Sequence, residues 1–197
     1  MPRLVAPIVP PGSLASAPQP ELTSPGGLLL RPWRPDDGGD IAAVLAAFAD
    51  PEIQRWGVRD ISTAEEASAW MRQWHAAWVA ESDACWAVVR DGVVVARVAL
   101  RRLNLTDGLG EVTYWVLPDA RGQRVASAAA AELSRWAFDD LGLHRLELCH
   151  SVHNRGSCGV ARTVGFALEG TLSDGMLHVD GWHDMHLHAR LATDGTA

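Results

Sequence analysis

The run Arg121-Gly122-Gln123-Arg124-Val125-Ala126-Ser127 has residue types, and a place in the chain, suited to holding a phosphate. An apolar stretch ends just before it at Trp115-Val116-Leu117-Pro118, and an alanine-rich stretch follows at once. A strand that turns tightly into a helix leaves the first backbone N–H groups of that helix unpaired and aimed at one spot. The helix dipole favours negative charge there. The segment therefore reads as a cradle for the diphosphate of a nucleotide-type cofactor.

The elements that position this cradle follow from periodicity and turn signals. Residues 1–27 are rich in Pro, Ala, Ser and Gly and form a flexible or extended arm, with enough apolar residues to lie along this body or a partner. Leu28 to Arg34 is a first strand. Helices start at Pro35-Asp36-Asp37, at Asp50-Pro51-Glu52 and at the capping box around Ser62-Thr63, the last running to about Glu81. Cys85 to Arg90 and Val93 to Arg101 are strands joined by the hairpin signal Asp91-Gly92. Gly110 to Leu117 is the strand before the cradle, and Gly122 to Leu141 the helix after it. Arg145 to His150 is a strand, and a helix from His153-Asn154 ends at Gly165. Phe166 to Gly170 and Met176 to Leu191 close the chain as a hairpin across Asp180-Gly181. This order describes one mixed α/β (α+β) domain over 28–191, with a mainly antiparallel sheet flanked by helices and a short flexible tail at 192–197.

Composition narrows the function. The 197-residue chain is 48% hydrophobic and carries a net charge of −7, which disfavours general nucleic-acid binding. No helix-compatible stretch is long enough to span a bilayer, and the uncharged run from Leu4 to Pro20 is broken by prolines. Cys85, Cys149 and Cys158 make no metal or disulfide framework and suit a reducing, cytoplasmic setting. His178, His183, His186 and His188 crowd the last strand, but only His186 and His188 share a face there, and no metal site is expected.

The cradle resembles the acyl-CoA-binding turn of the GCN5-related N-acetyltransferases, whose signature is Arg/Gln-x-x-Gly-x-Gly/Ala. Arg121, Gly122 and Ala126 fit that pattern, while Arg124 stands where the family has its central Gly. The closest likeness is to the branch that acetylates ribosomal-protein N-termini. It rests on Leu30-Arg31-Pro32-Trp33, Glu111-Val112-Thr113-Tyr114-Trp115-Val116, Asn154-Arg155-Gly156-Ser157 with Gly165-Phe166, and Asp184-Met185-His186-Leu187. The resemblance covers roughly residues 28 to 191. It implies acetyl-CoA as cofactor, strands splayed where that cofactor binds, and transfer of acetyl to a primary amine by direct attack in a ternary complex.

Such a reaction needs a base for the amine, stabilisation of the thioester oxygen and a hydrogen bond for the leaving sulfur. Glu111 is the candidate base; it shares a strand face with Thr113 and Trp115. The resemblance puts Asn154 and Ser157 at the thioester end, Asn154 also doubling as a helix cap. Val116 and Leu117 would offer backbone groups to the pantetheine arm, and Arg121, Gly122, Gln123, Arg124, Val125, Ala126 and Ser127 would surround the diphosphate. Trp33, Trp56 and Trp74 are candidate acceptor contacts, together with Glu111. The acceptor is an amine on a peptide or protein N-terminus or on a small molecule. A non-catalytic acyl-CoA sensor or interaction module is the alternative. A homodimer is permitted by the tryptophan content and the arm, but not required.

Overall fold

A computed structural model describes residues 4–57 and 59–194, so the chain ends at 1–3 and 195–197, parts of the arm and tail, lie outside the described residues. Its strands are β1 (Leu22–Thr23), β2 (Leu29–Pro32), β3 (Ala84–Arg90), β4 (Val93–Asn104), β5 (Leu109–Val116), β6 (Arg145–Ser151), β7 (Ala167–His178) and β8 (Gly181–Leu191). Its helices are α1 (Gly38–Ala49), α2 (Pro51–Trp56), α3 (Ala64–Val79), α4 (Val125–Asp139) and α5 (Arg155–Thr163). The eight strands form one sheet in the order β1-β2-β3-β4-β5-β6-β8-β7. Every neighbouring pair is antiparallel except β5 with β6.

The two faces of the sheet carry separate cores. Trp33, Val44, Ala67, Trp70, Met71 and Trp115 pack under α1 and α3. Leu30, Trp86, Val112, Leu133, Trp136 and Leu148 pack under α4. Alternation along β5 splits its side chains accordingly: Trp115 goes to the first core, Val112 and Tyr114 to the second. A buried ion pair locks α1 to β2. Arg31 donates to both Asp40 oxygens at 2.8 and 2.6 Å, and Arg34 N–H donates to Asp40 at 2.8 Å. The starts of α1, α2 and α3 are capped in the positions their sequences foretell. Asp37 accepts from Gly39 and Asp40, Asp50 from Ile53, and Thr63 and Glu66 close a reciprocal box.

The proline-rich arm is part of this body over its described residues. Val9 and Leu14 are buried in the α4-side core. Ile8 and Val9 N–H groups bond Thr106 and Leu105 carbonyls at 3.0 Å. Glu81, just past α3, accepts from the amides of Gly12, Leu14 and Ala15. The arm also holds β1, a strand that proline content masked.

Two boundaries differ from expectation. β7 does not stop at Gly170; it runs on to His178, with register shifts after Leu168 and Leu172. The polar Ser173-Asp174-Gly175 stretch is a bulge rather than a loop. Asp174 takes φ 45° and its N–H bonds Asp184, and a Cβ on Gly175 would meet Met185 at 2.9 Å. The helix after the cradle begins at Val125, not Gly122, because Gly122 (φ 73°) and Arg124 (φ 59°) are left-handed.

Candidate active site

The site begins where the sheet opens. β5 and β6 pair over Leu109–Glu111 and Arg145–Glu147 only. Beyond them β6 stays with β8 as far as Ser151, and β5 stays with β4 as far as Val116. The two parallel strands therefore diverge and leave one edge of β5 without a ladder. Leu117 N–H bonds Val95 O at 3.0 Å, so odd-numbered backbone groups of β5 face β4 and even-numbered ones face the opening. Val116 presents its N–H to that opening. Leu117 does not: its N–H is given to β4 and its carbonyl accepts from Ala120.

The cradle lies at the end of the opening. Pro118–Ala120 makes a single 3-10 turn, and the Arg121–Arg124 loop leads into α4. No side chain caps α4, and its first bond back to the cap is Ala128 N–H to Arg124 O. The amides of Val125, Ala126 and Ser127 are therefore left for an anion. A Cβ on Gly122 would meet nothing within 4 Å, so the loop is open on that side. These features fit a diphosphate.

The cradle's side chains divide in role. Arg121 turns away from the helix start: its guanidinium pairs with Asp50 at 2.5 Å and bonds Val116 O at 3.2 Å. Burial would raise the Asp50 pKa, but Arg121 and the Ile53 amide outweigh it and hold it below the usual aspartate value. Gln123 braces the loop between Arg90 and the Asp119 carbonyl. Arg124 is exposed and makes no ion pair among the described residues. Val125 is buried in the α4-side core, and Ala126 and Ser127 are half-buried.

Glu111 sits at the vertex where β5 and β6 part, 9% exposed. The bulge in β4 after Arg101 puts Arg102 at φ 52°, and its guanidinium stands 3.3 Å from Glu111. Burial pushes the Glu111 carboxyl above its ordinary value; Arg102 and Arg101 pull it back, while Glu147 and Asp83 add to the rise. A carboxylate raised in this way is a better proton acceptor near neutral pH.

Asn154 and Ser157 stand at the start of α5, just past the end of β6. Asn154 is the N-cap of α5, its Oδ1 accepting from Ser157 N–H at 3.0 Å. Across the gap is Tyr114, a residue to which sequence reasoning gave no role. Its hydroxyl is buried and closes no hydrogen bond. Burial lifts its pKa to about 12, and Ser157 is the side chain that opposes the rise.

The three acceptor-side tryptophans are not brought together. Trp33 is 1% exposed, packed edge-on to Trp70 and tilted against Trp115 with its N–H on Cys85 Sγ, and belongs to the core. Trp74 is half-buried, with the Arg97 guanidinium 4.6 Å from its ring centre. Only Trp56 reaches the last hairpin. Its ring meets His178 and His183 edge-on at 6.0 and 6.3 Å, joining α2 to the β7–β8 tip. His183 bonds Ser151 Oγ at 2.8 Å and Asp180 at 2.9 Å. That polar chain beside the opening had no signature in the sequence, because its members come from two distant segments.

A second grouping places a cysteine among histidines that were expected to hold no metal. His150 on β6, Cys158 on α5, and His186 and His188 on β8 bring one ligand atom each within 4.8 Å of one another. Register explains it: His150 is paired with His186, and α5 lays Cys158 over both strands.

Family comparison agrees with this architecture. Residues 27–167 match the family model described as an acetyltransferase (GNAT) domain. The chain belongs to the GNAT acetyltransferase family, a class of acyltransferases that use acetyl-CoA. It is similar to the putative ribosomal N-acetyltransferase YdaF of Bacillus subtilis (strain 168), 33% identical over 93 residues, which are 47% of this chain and 50% of that protein. The match thus spans about half the length of that relative. Among solved structures, Mycobacterium smegmatis RimJ in complex with CoA-disulfide superposes with a TM-score of 0.77 at 23% identity, covering 90% of this chain and 89% of that one. The ribosomal L7/L12 alpha-N-protein acetyltransferase RimL, in complex with coenzyme A, does so with a TM-score of 0.79 at 17% identity, covering 87% and 98%. At these identities the two structures speak to the fold. Among the described residues, no helix is long and apolar enough to cross a membrane.

Proposed function

We propose that this protein transfers an acetyl group from acetyl-CoA to a primary amine, by direct attack with both substrates bound. The observation that carries the reading is the parting of β5 from β6 at Glu111, with unspent α4 amides at the far end of the same opening. Val125, Ala126, Ser127 and the Gly122 and Arg124 backbone would hold the diphosphate, and the open edge of β5 at Val116 the pantetheine. Acetyl-CoA, when bound, supplies an activated thioester.

The chain's own residues supply the rest. Glu111 accepts a proton from the acceptor ammonium, directly or through one water. Val116 N–H, facing the opening, polarises the carbonyl that is attacked. Ser157, held at the first turn of α5 by the Asn154 cap and facing Tyr114, hydrogen-bonds the departing sulfur. The acceptor approaches between α2 and the β7–β8 tip, where Trp56 and His183 stand.

The acceptor is an exposed amine, either a peptide or protein N-terminus, for which the YdaF similarity speaks, or a small-molecule amine. Three free cysteines suit a reducing cytoplasm. A mass-spectrometric acetylation screen against N-terminal peptides and aminated small molecules tests the reading, alongside calorimetry with acetyl-CoA. Acetyl-CoA binding without transfer to any amine would favour an acyl-CoA sensor, the reading motivated by Arg124 in place of glycine. No binding would remove both.

A further inference from the structure

We propose that His150, Cys158, His186 and His188 form a binding site for one zinc ion where β6, β8 and α5 meet. The site is independent of the acetyl-transfer reading and uses none of its residues.

Unpaired nitrogens are the first ground. His150 is 5% exposed and His188 2%, yet Nε2 of each has no hydrogen-bond partner, and neither does Nδ1 of His186. A buried polar atom left unsatisfied is destabilising. Such atoms belong to three histidines whose ligand atoms, with the Cys158 thiol, all lie within 4.8 Å of one another, a grouping that calls for a shared electrophile.

The second ground is how the rings are oriented. His150 Nδ1 lies 2.8 Å from the Ser151 carbonyl, and His188 Nδ1 lies 3.2 Å from the Phe166 carbonyl. Each carbonyl can only accept, so each Nδ1 carries the proton and each Nε2 presents a bare lone pair to the cluster. Backbone carbonyls that fix the tautomer in this way are the usual outer partners of metal-bound histidine.

Donor chemistry selects the metal. One sulfur and three imidazoles make a borderline-soft tetrahedral set, which suits Zn²⁺ better than Mg²⁺ or Ca²⁺. Zinc would draw the ligands inward by roughly 1 Å to reach its normal bond lengths. Cys158 loses its proton to solvent on binding, so the ion meets one thiolate and three neutral rings. With all four positions filled by protein, the ion is structural. It pins the start of α5, and so Asn154 and Ser157, onto β6 and β8. A cleft of about 400 Å³, bordered by Cys158, Arg162, Phe166, His186 and His188, gives the ion a way in.

The test uses the full chain, stripped with chelator and titrated with Co²⁺ alone. The expected result is one equivalent bound, with tetrahedral d–d bands and a thiolate-to-cobalt charge-transfer band that Zn²⁺ bleaches. Cys158→Ser removes the charge-transfer band, and His186→Gln, at a half-exposed position, abolishes stoichiometric binding. Should Cys158→Ser fail to fold, labelling decides: in Cys149→Ala protein, Zn²⁺ protects Cys158 from a thiol reagent, as read by peptide mass. Octahedral cobalt spectra, binding untouched by His186→Gln, or Cys158 labelled equally fast with and without Zn²⁺ would overturn the site.

Discussion

Glu111 and Glu147 stand opposite each other at the last shared register of β5 and β6, and the sheet opens immediately beyond them. Two carboxylates side by side repel, which is one reason Glu111 is raised above its ordinary pKa; burial is the larger one. The same geometry that splits the sheet thus raises a carboxyl at the split.

Glu111→Gln keeps the shape and removes the proposed base. The expected outcome is a fall in kcat of about a hundredfold or more, with the acetyl-CoA Kd nearly unchanged. A base must be unprotonated to act, so wild-type kcat/KM should rise with pH through a pKa above the ordinary glutamate value. The Gln variant should lose that limb. Steady-state kinetics with an acceptor from the acetylation screen, plus calorimetry, check both parts. Unchanged turnover would take the proton-transfer role from Glu111.

Arg31 and Asp40 are a buried pair, the Asp side chain only 1% exposed, and Asp40 also receives the Arg34 amide. Removing one partner strands the other charge in the core. Asp40→Ala should cost about 3–5 kcal/mol of stability. Urea unfolding measures it, and a loss below about 1 kcal/mol would mean that water reaches Arg31.

How much of this was written legibly along the chain depends on sequence distance. The strand, turn and helix from Leu109 to Asp139 were readable because they are contiguous, and the face of β5 that Glu111 shares with Trp115 because a strand alternates faces strictly. Leu117 was misjudged as a donor to the opening, since which edge its amide faces depends on pairing with Val95, a non-local fact. The His–Cys grouping was hidden for the same reason. Its members lie on three elements, and only the β6–β8 register sets His150 beside His186. Trp33 looked like a pocket residue because type and position cannot tell a core indole from an exposed one. The bulge at Asp174 mimicked a loop, because polar residues and Gly serve both.

Glu81 tests whether the arm is integral to the fold. Burial would raise its pKa, but the Gly12, Leu14 and Ala15 amides outweigh that and lower it. A depressed folded pKa means that the carboxylate stabilises the native state above its unfolded pKa. The contribution is lost as pH falls through the folded value. Glu81→Gln should therefore detach residues 12–15 at neutral pH as acid does to the wild type. Limited proteolysis should then cut near Gly12, while the core transition moves little. Equal protease resistance in both proteins would place the arm's attachment elsewhere, in Val9, Leu14 and the Trp78 and Trp86 bonds to Ala17 and Pro20.

Arg124 holds φ 59° at the N-cap of α4, a left-handed conformation that costs a non-glycine residue about 1–2 kcal/mol. Its side chain is exposed and free of ion pairs among the described residues, so the strain is not repaid within the fold. The proposed diphosphate contact would offset it. Arg124→Gly should raise the melting temperature, because glycine adopts this conformation without penalty. It should also weaken coenzyme A by roughly two- to fivefold, the worth of an exposed charge pair, and flatten the salt dependence of binding. Arg124→Ala should lose on both counts, keeping the strain and dropping the charge. Calorimetry at two salt concentrations separates these outcomes. Tighter coenzyme A binding by the Gly variant would show the opposite relationship, with the arginine obstructing the cradle instead of completing it.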